Sequence, residues 1–268
     1  MSSRVIVITS GKGGVGKTTT TANLGMALAN KGEKVVVIDA DIGLRNLDLL
    51  LGLENRIVYD IVNVVEKSCK VKQALIKHKT QPNLSLLPAA QTRDKSSVSP
   101  EQMIELCKEL ENDFTIIIID CPAGIEQGFK NAIAAASEAL IVTNPELSSI
   151  RDADRIIGLL NSADHEISTK LIVNRIRPNM VKQDEMLSEE DVREQLGVDI
   201  IGTVPDDESI IKSTNRGIPA VMDETSVAGK EYLKIAARLL GEDIPLTNIK
   251  DEENEGIFSK LKKLFSLK

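Results

Sequence analysis

The 268-residue sequence predicts a single α/β domain, a P-loop NTPase-type fold with a mainly parallel sheet flanked by helices, followed by a short C-terminal amphipathic helix. Three observations carry this. Apolar, β-branched runs recur along the chain with helix-length stretches between most of them, the alternation that builds parallel sheets. The first run, residues 5–8, is unbroken, as a strand buried on both faces requires. It leads into Gly11-Lys12-Gly13-Gly14-Val15-Gly16-Lys17-Thr18, which fits the phosphate-binding pattern G-x-x-x-x-G-K-[ST].

In chain order, residues 20–31 carry Leu24, Ala27 and Leu28 at helical spacing and stop at Gly32, a C-cap residue. Strands are predicted at 35–38, 84–87, 115–119, 140–143, 171–173 and 200–204. Ser99-Pro100-Glu101-Gln102 offers an N-cap, a proline at N1 and a glutamine at N3 for a helix running to Leu110. No internal repeat is present.

Without Cβ atoms the glycines of the loop let the backbone wrap a polyphosphate, so that N–H groups and the following helix N-terminus face negative charge. Lys17 is expected on the β and γ phosphates and the Thr18 hydroxyl on Mg²⁺, with Thr19 next in the helix. The run 116–119 ends in Asp120, the Walker B arrangement, where the carboxylate would hold Mg²⁺ through water. The second strand ends in Asp39-Ala40-Asp41, and in a parallel sheet strand C-termini face the ligand. Polar groups also close the strands at Asn174-Arg175 and Pro205-Asp206.

Lys12 adds a cation where backbone donors alone would serve. With it, Lys12-Gly13-Gly14-Val15-Gly16-Lys17-Thr18 resembles the deviant Walker A, or ParA/MinD, family of P-loop ATPases. The likeness extends through the 39–48 segment, Asp120-Cys121-Pro122-Ala123-Gly124, the 148–155 segment and the C-terminal end, and it is closest to the septum-site branch. The resemblance implies that Lys12 crosses a dimer interface to the partner's nucleotide, that Asp41 orients the attacking water and that Asp39 lies near the Mg²⁺ shell. It also implies a switch II at Pro122, Ala123 and Gly124, and a partner-docking surface at Ser148, Ser149, Arg151, Asp152 and Asp154. Asn174, Arg175, Pro205 and Asp206 would bracket the adenine, with Asn174 reading the base edge.

Composition narrows the alternatives. A net charge of −7 and a pI near 5.1 argue against wholesale nucleic-acid binding, and aromatics at 2% without tryptophan suggest no base-stacking platform. Cys69, Cys107 and Cys121 lack C-x-x-C spacing, which predicts a reducing cytoplasm without zinc or an iron–sulfur cluster. No leader and no run long enough to span a bilayer is seen, so the chain is predicted to be neither secreted nor integral.

The predicted divisions are 1–242 for the ATPase domain, 243–256 for an acidic linker and 257–268 for a membrane-targeting helix. In the last segment Ile257, Phe258, Leu261, Leu264 and Phe265 share a face about 120° wide, with Lys260, Lys262 and Lys263 off it. A basic amphipathic helix of this kind suits an anionic membrane surface. One copy would bind marginally, while two on one dimer gain roughly 10² to 10⁴ in avidity.

The expected protein is a Mg²⁺-dependent ATPase that dimerises around ATP, binds the inner face of the cell membrane from the cytoplasm, and lets go on hydrolysis. The resemblance adds placement of the division septum, with an inhibitor of the MinC type and an activator of the MinE type as partners. A DNA-binding, ParA-like partitioning ATPase and a flagellar-number regulator are the alternatives. An iron–sulfur carrier is disfavoured by the missing cysteine pair, and an amide or carboxylate ligase would need a small-substrate pocket that the sequence does not locate.

Overall fold

The computed structural model describes residues 3–246. In chain order the elements are β1 (Arg4–Thr9), α1 (Lys17–Asn30), β2 (Val35–Asp39), the short helices α2 (Leu47–Leu50), α3 (Ile61–Val65) and α4 (Val71–Ala74), β3 (Ile76–Lys77), β4 (Leu84–Leu87), α5 (Pro100–Leu110), β5 (Ile116–Asp120) and α6 (Gln127–Ile133). There follow β6 (Glu138–Thr143), α7 (Leu147–Asn161), β7 (Ser168–Ile176), α8 (Pro178–Lys182), α9 (Glu189–Leu196), β8 (Ile200–Pro205), α10 (Ser209–Arg216) and α11 (Val227–Leu239).

The strands form one sheet in the order β3-β4-β2-β5-β1-β6-β7-β8. All neighbours are parallel except β3, which pairs antiparallel with β4 at the edge. That two-residue edge strand is a feature the sequence pattern did not announce, because so short a segment has no periodicity to read.

The unbroken apolar runs are explained by two cores, one on each face. Val5 and Val7 of β1, Val36 and Ile38 of β2, and Ile117 and Ile119 of β5 pack with Met103, Phe129 and Ile156 from α5, α6 and α7. The alternate residues Ile6, Ile8, Val35, Val37, Ile116 and Ile118 pack with Leu24 and Leu28 of α1 and Tyr232 and Ile235 of α11. Side chains along a strand point to opposite faces, so burial on both sides makes every position apolar.

Helix ends follow local chemistry. The Ser99 hydroxyl accepts from the Gln102 N–H at 3.2 Å while the Gln102 side chain accepts from the Ser99 N–H at 2.8 Å, the reciprocal cap expected at α5. Helix α1 ends at Asn30, and Gly32 takes a φ of +97° just beyond it.

β1 lies between β5 and β6; β2, β4 and β3 extend one side, with β5 inserted between β2 and β1, and β6, β7 and β8 extend the other. The carboxyl ends of β1, β2, β5, β6, β7 and β8 therefore meet on one rim, with the glycine loop at the point where the strand order reverses.

Two residues within the predicted linker, 244 and 245, are held to the folded body. Arg238 donates to the carbonyls of Ile244 at 2.8 Å, Pro245 at 2.6 Å and Ile201 at 2.9 Å, so residues 244 and 245 are clasped to the start of β8. The predicted membrane-facing residues Ile257, Phe258, Leu261, Leu264 and Phe265, and the linker from residue 247 on, lie outside the described residues.

Candidate functional site

The loop between β1 and α1 is an anion site made from its own backbone. Gly14 and Gly16 adopt φ of +78° and +106°, a region that side-chain-bearing residues rarely enter, and Gly16 caps α1. Lys17 opens the helix and is 8% exposed; its ammonium donates to the Ser10 hydroxyl at 3.0 Å, which in turn donates to the Lys12 carbonyl at 2.7 Å. A buried cation, the α1 N-terminus and exposed glycines at 13 and 14 converge on one rim position.

Two carboxylates end neighbouring strands on this rim, and the charge of Lys17 acts on one of them, Asp120. Asp39 and Asp120 are register partners across β2 and β5, and each is 1% exposed. Burial, followed by the charge of Asp39, pushes the Asp120 carboxyl up to about 8, against hydrogen bonds from Thr18 and Thr21 and the charge of Lys17. Asp39 is raised too, first by burial, although three backbone N–H groups favour its charged form. The Thr21 hydroxyl lies 3.2 Å from Asp120 Oδ1.

This donor set fits Mg²⁺. Two buried carboxylates whose charge is disfavoured, with the Thr18 hydroxyl beside Asp120, leave room for a cation to restore their ionisation. No group of three or more His, Cys, Asp or Glu side chains suited to a metal occurs among the described residues. Mg²⁺ characteristically takes one or two carboxylates and completes its shell with water and phosphate oxygens.

Asp39 has a second task. Its Oδ1 accepts from the Asp41 N–H at 3.0 Å and its Oδ2 from the Asn46 and Leu47 N–H groups at 3.2 Å each. The 41–47 turn is thus folded around that carboxylate, which holds Asp41 half-buried at the rim. Arg45 and Asp48 lock the same turn with a 2.9 Å ion pair, Asp48 being buried.

The other expected segments surround the loop. Gly124 has a φ of +92°, and a Cβ on Gly13 would sit 3.7 Å from the Ala123 Cβ, so the Pro122-Ala123-Gly124 turn abuts the loop directly. Pro122 in turn lies on Gly128 of α6, where a Cβ would meet its ring at 2.6 Å. A Cβ on Gly11 would fall 2.3 Å from the Asp152 carbonyl oxygen, so the loop also rests against the α7 backbone. Lys12 is exposed and its ammonium lies 3.4 Å from the Ser148 hydroxyl.

Within the expected docking surface, Ser148, Arg151 and Asp154 are exposed and Asp152 is half-buried. Ser149, expected on the same surface, faces inward. It is 2% exposed, because it shares the inward helical face with Ile150, Ala153 and Ile156.

Of the residues expected to bracket the adenine, Pro205 is half-buried and Asp206 exposed, with Asp206 paired to Arg177 at 2.7 Å; Arg175 is exposed with a φ of +59°. Asn174 is the residue expected to read the base edge. It is 5% exposed and its side-chain amide donates to the Val15 carbonyl of the glycine loop at 2.7 Å.

Three contributors went unnoticed in the sequence, Ser10, Thr21 and Asp207, and the 39–48 segment was read without its Arg45–Asp48 ion pair. Asp207 accepts from the Ala228 N–H and the Ser226 hydroxyl at 3.0 Å each, tying the loop after β8 to the start of α11. Thr21 was within reach of pattern reading, since it sits one helical turn beyond Lys17. Asp207 carries no such local signal. Among the described residues no helix is long and apolar enough to cross a membrane.

Comparison with known proteins places this arrangement. Residues 6–220 match the family described as the CobQ/CobB/MinD/ParA nucleotide binding domain. The septum site-determining protein MinD of Synechocystis is 58% identical over 253 residues, covering 94% of each chain. That of Bacillus subtilis is 51% identical over 264 residues, covering 98% of each. Among solved structures, the MinC:MinD cell division protein complex of Aquifex aeolicus superposes with a TM-score of 0.85 at 52% identity, covering 92% of this chain and 99% of that one. MinD complexed with Mg-ADP from Pyrococcus horikoshii gives 0.81 at 31% identity, covering 90% and 100%.

Proposed function

Since the chain belongs to the septum site-determining branch of the MinD/ParA nucleotide-binding family, we propose that it is an ATPase that reports its nucleotide state as membrane attachment and thereby positions cell division. The observation that carries this is the buried Lys17 ammonium at the glycine loop together with the buried Asp39–Asp120 pair, whose member Asp120 feels its charge: a cation for phosphate beside two carboxyls for a metal.

The chemistry is phosphoryl transfer to water, in which positioning and charge stabilisation do the work. The loop N–H groups from Gly11 to Thr19 and the α1 N-terminus bind the phosphate chain, and Lys17 offsets the charge developing on the transferred group. Thr18 and, through water, Asp120 would hold Mg²⁺, with Asp39 steadying the surround, and the ion would supply neutralisation of the phosphate charge. Asp41, carried by the turn wrapped around Asp39, orients the attacking water. Pro122, Ala123 and Gly124 move with the presence or loss of the γ phosphate.

Lys12 completes the site of a second protomer, so ATP joins two chains. The pair then presents two amphipathic tails to an anionic membrane surface, and hydrolysis releases both. The exposed face of α7 at Ser148, Arg151, Asp152 and Asp154 receives an inhibitor of the MinC type and an activator of the MinE type. The MinC:MinD complex of Aquifex aeolicus supports the first of these. The protein works in the cytoplasm, peripheral to the inner face of the cell membrane, without a nucleic-acid partner. A ParA family ATPase from Chlorobium tepidum is only 25% identical, which leaves the partitioning reading behind.

Co-sedimentation of the full chain with anionic liposomes tests this. Pelleting with Mg²⁺–ATP but not with ADP is expected. Equal pelleting in both states, or in neither, would overturn the coupling.

A further inference from the structure

We propose that the outer face of α10 and α11 is a second membrane contact, which rests on anionic headgroups beside the place where the described chain ends. The inference rests on the membrane reading and adds to it a surface of the folded body. α10, the turn after it and α11 lie on the side of the sheet that α1 covers. Along α11, Tyr232, Ile235, Ala236 and Leu239 face that core. Val227, Lys230, Leu233 and Lys234 fall within about 120° of one another on the opposite side. α10 buries only Ser213 and turns Ile211, Lys212 and Arg216 to solvent. Ile211 is 65% exposed and Leu233 36%, with Ile218, Met222 and Val227 exposed to intermediate degrees.

Charge and composition choose the partner. Residues 209–240 hold five Lys and Arg against three Asp and Glu, in a chain whose net charge is −7. Two of those acids are withdrawn: Glu231 is buried and pairs with Lys234 at 2.6 Å, and Asp223 accepts from the Thr225 hydroxyl at 2.6 Å. A protein interface favours a desolvated centre rich in aromatics and poor in lysine. Here the one aromatic residue of the segment, Tyr232, is buried, and the lysines stand between the apolar side chains. A lipid surface suits that pattern, taking the apolar groups into the headgroup boundary while the Lys and Arg stems reach the phosphates. Position agrees. The outer stripe of α11 leads toward Arg238, which clasps residues 244 and 245, and Leu246 beside them is exposed. So few apolar groups do not hold the body to a bilayer alone, but once a tail is attached each further contact multiplies the residence.

The full chain with Mg²⁺–ATP is titrated with vesicles of phosphatidylglycerol and phosphatidylcholine. Lys230→Glu should weaken vesicle binding on the order of tenfold, and Leu233→Ser by roughly several-fold, with ATP-dependent dimerisation and vesicle-free turnover unchanged. Added salt should close the gap to wild type for Lys230→Glu and leave it open for Leu233→Ser. Variants that bind vesicles like the wild type overturn the proposal, whereas a wild type that binds no vesicles sinks the membrane reading beneath it. A polarity-sensitive fluorophore on the thiol of Leu233→Cys, in a Cys69→Ser background, reads the same face independently. A blue shift that needs both ATP and vesicles supports the contact; bound vesicles without a shift overturn it. A shift with ATP alone places a second copy of the chain on the face. One present without either, and lost when 257–268 is deleted, places the tail there. Both of these results overturn the proposal.

Discussion

A buried lysine and two buried aspartates share one rim, and there burial and the charge of Asp39 disfavour ionisation of Asp120 while the charge of Lys17 favours it. Lys17→Ala removes the cation that offsets the phosphate and should weaken Mg²⁺–ATP binding by roughly 10²-fold, about 2.7 kcal/mol; near-normal ATP turnover by this variant would refute the assignment. Asp41→Ala, by contrast, should bind ATP normally and pellet with liposomes while losing hydrolysis. If calorimetry finds no ATP binding, Asp41 is not the water-orienting group. The pH behaviour follows from the raised carboxyls. In the folded, metal-free protein Asp39 and Asp120 keep protons that the unfolded chain has already lost above its ordinary aspartate range, near roughly 4. Folding is therefore favoured most at low pH by this pair, and that contribution falls away as pH rises toward about 8. Thermal melts without nucleotide should show this pair's contribution as a lower midpoint at pH 8 than at pH 5, with Mg²⁺ recovering part of the loss at pH 8, and Asp120→Asn should flatten both effects.

Among elements, the strands and their apolar runs were legible because burial on both faces leaves no polar position to obscure the pattern. Cap chemistry at α5 was equally local: Ser99 and Gln102 are three residues apart. Ser149 shows the limit. Its neighbours Ser148 and Arg151 do face outward, but a polar residue on the inward stripe looks the same in sequence as one on the outer face until the helix is docked. The contact of Gly11 with the Asp152 backbone makes the loop and the first turns of α7 one packed unit, with Lys12 at its outer edge. Lys12→Ala should therefore leave ATP binding by the monomer intact and abolish the ATP-dependent dimer; light scattering that still shows the dimer would contradict the role of Lys12. The Arg45–Asp48 pair locks the 41–47 turn from within, and Asp48→Ala leaves a guanidinium without its counter-ion. A loss of about 3 kcal/mol in urea unfolding is expected, since removing one partner of a buried pair strands the other.

For the whole molecule, the nucleotide rim and the exit of the chain lie at opposite ends of the sheet. Arg4 donates to the Leu239 carbonyl at 2.6 Å and Arg238 holds residues 244 and 245 against the start of β8, so the last described residues lie at the strands' amino ends. Deleting 257–268 should leave ATP-dependent dimerisation unchanged and abolish pelleting with anionic liposomes; a truncated chain that pellets like the intact one removes the membrane half of the function.

Local pattern by itself determined the α/β class, the glycine loop with its lysine and threonine, the carboxylate ending β5 and the cap of α5, because each depends on residues within a few positions of one another. Only the tertiary structure decided that β5 inserts between β1 and β2 to set Asp120 beside Asp39, that Asn174 reaches 159 positions back to the Val15 carbonyl, and that Arg238 extends the folded body past residue 242. Those choices are made by strand order, register and a bulge, which arise from packing between distant segments and leave no trace in the spacing of neighbours.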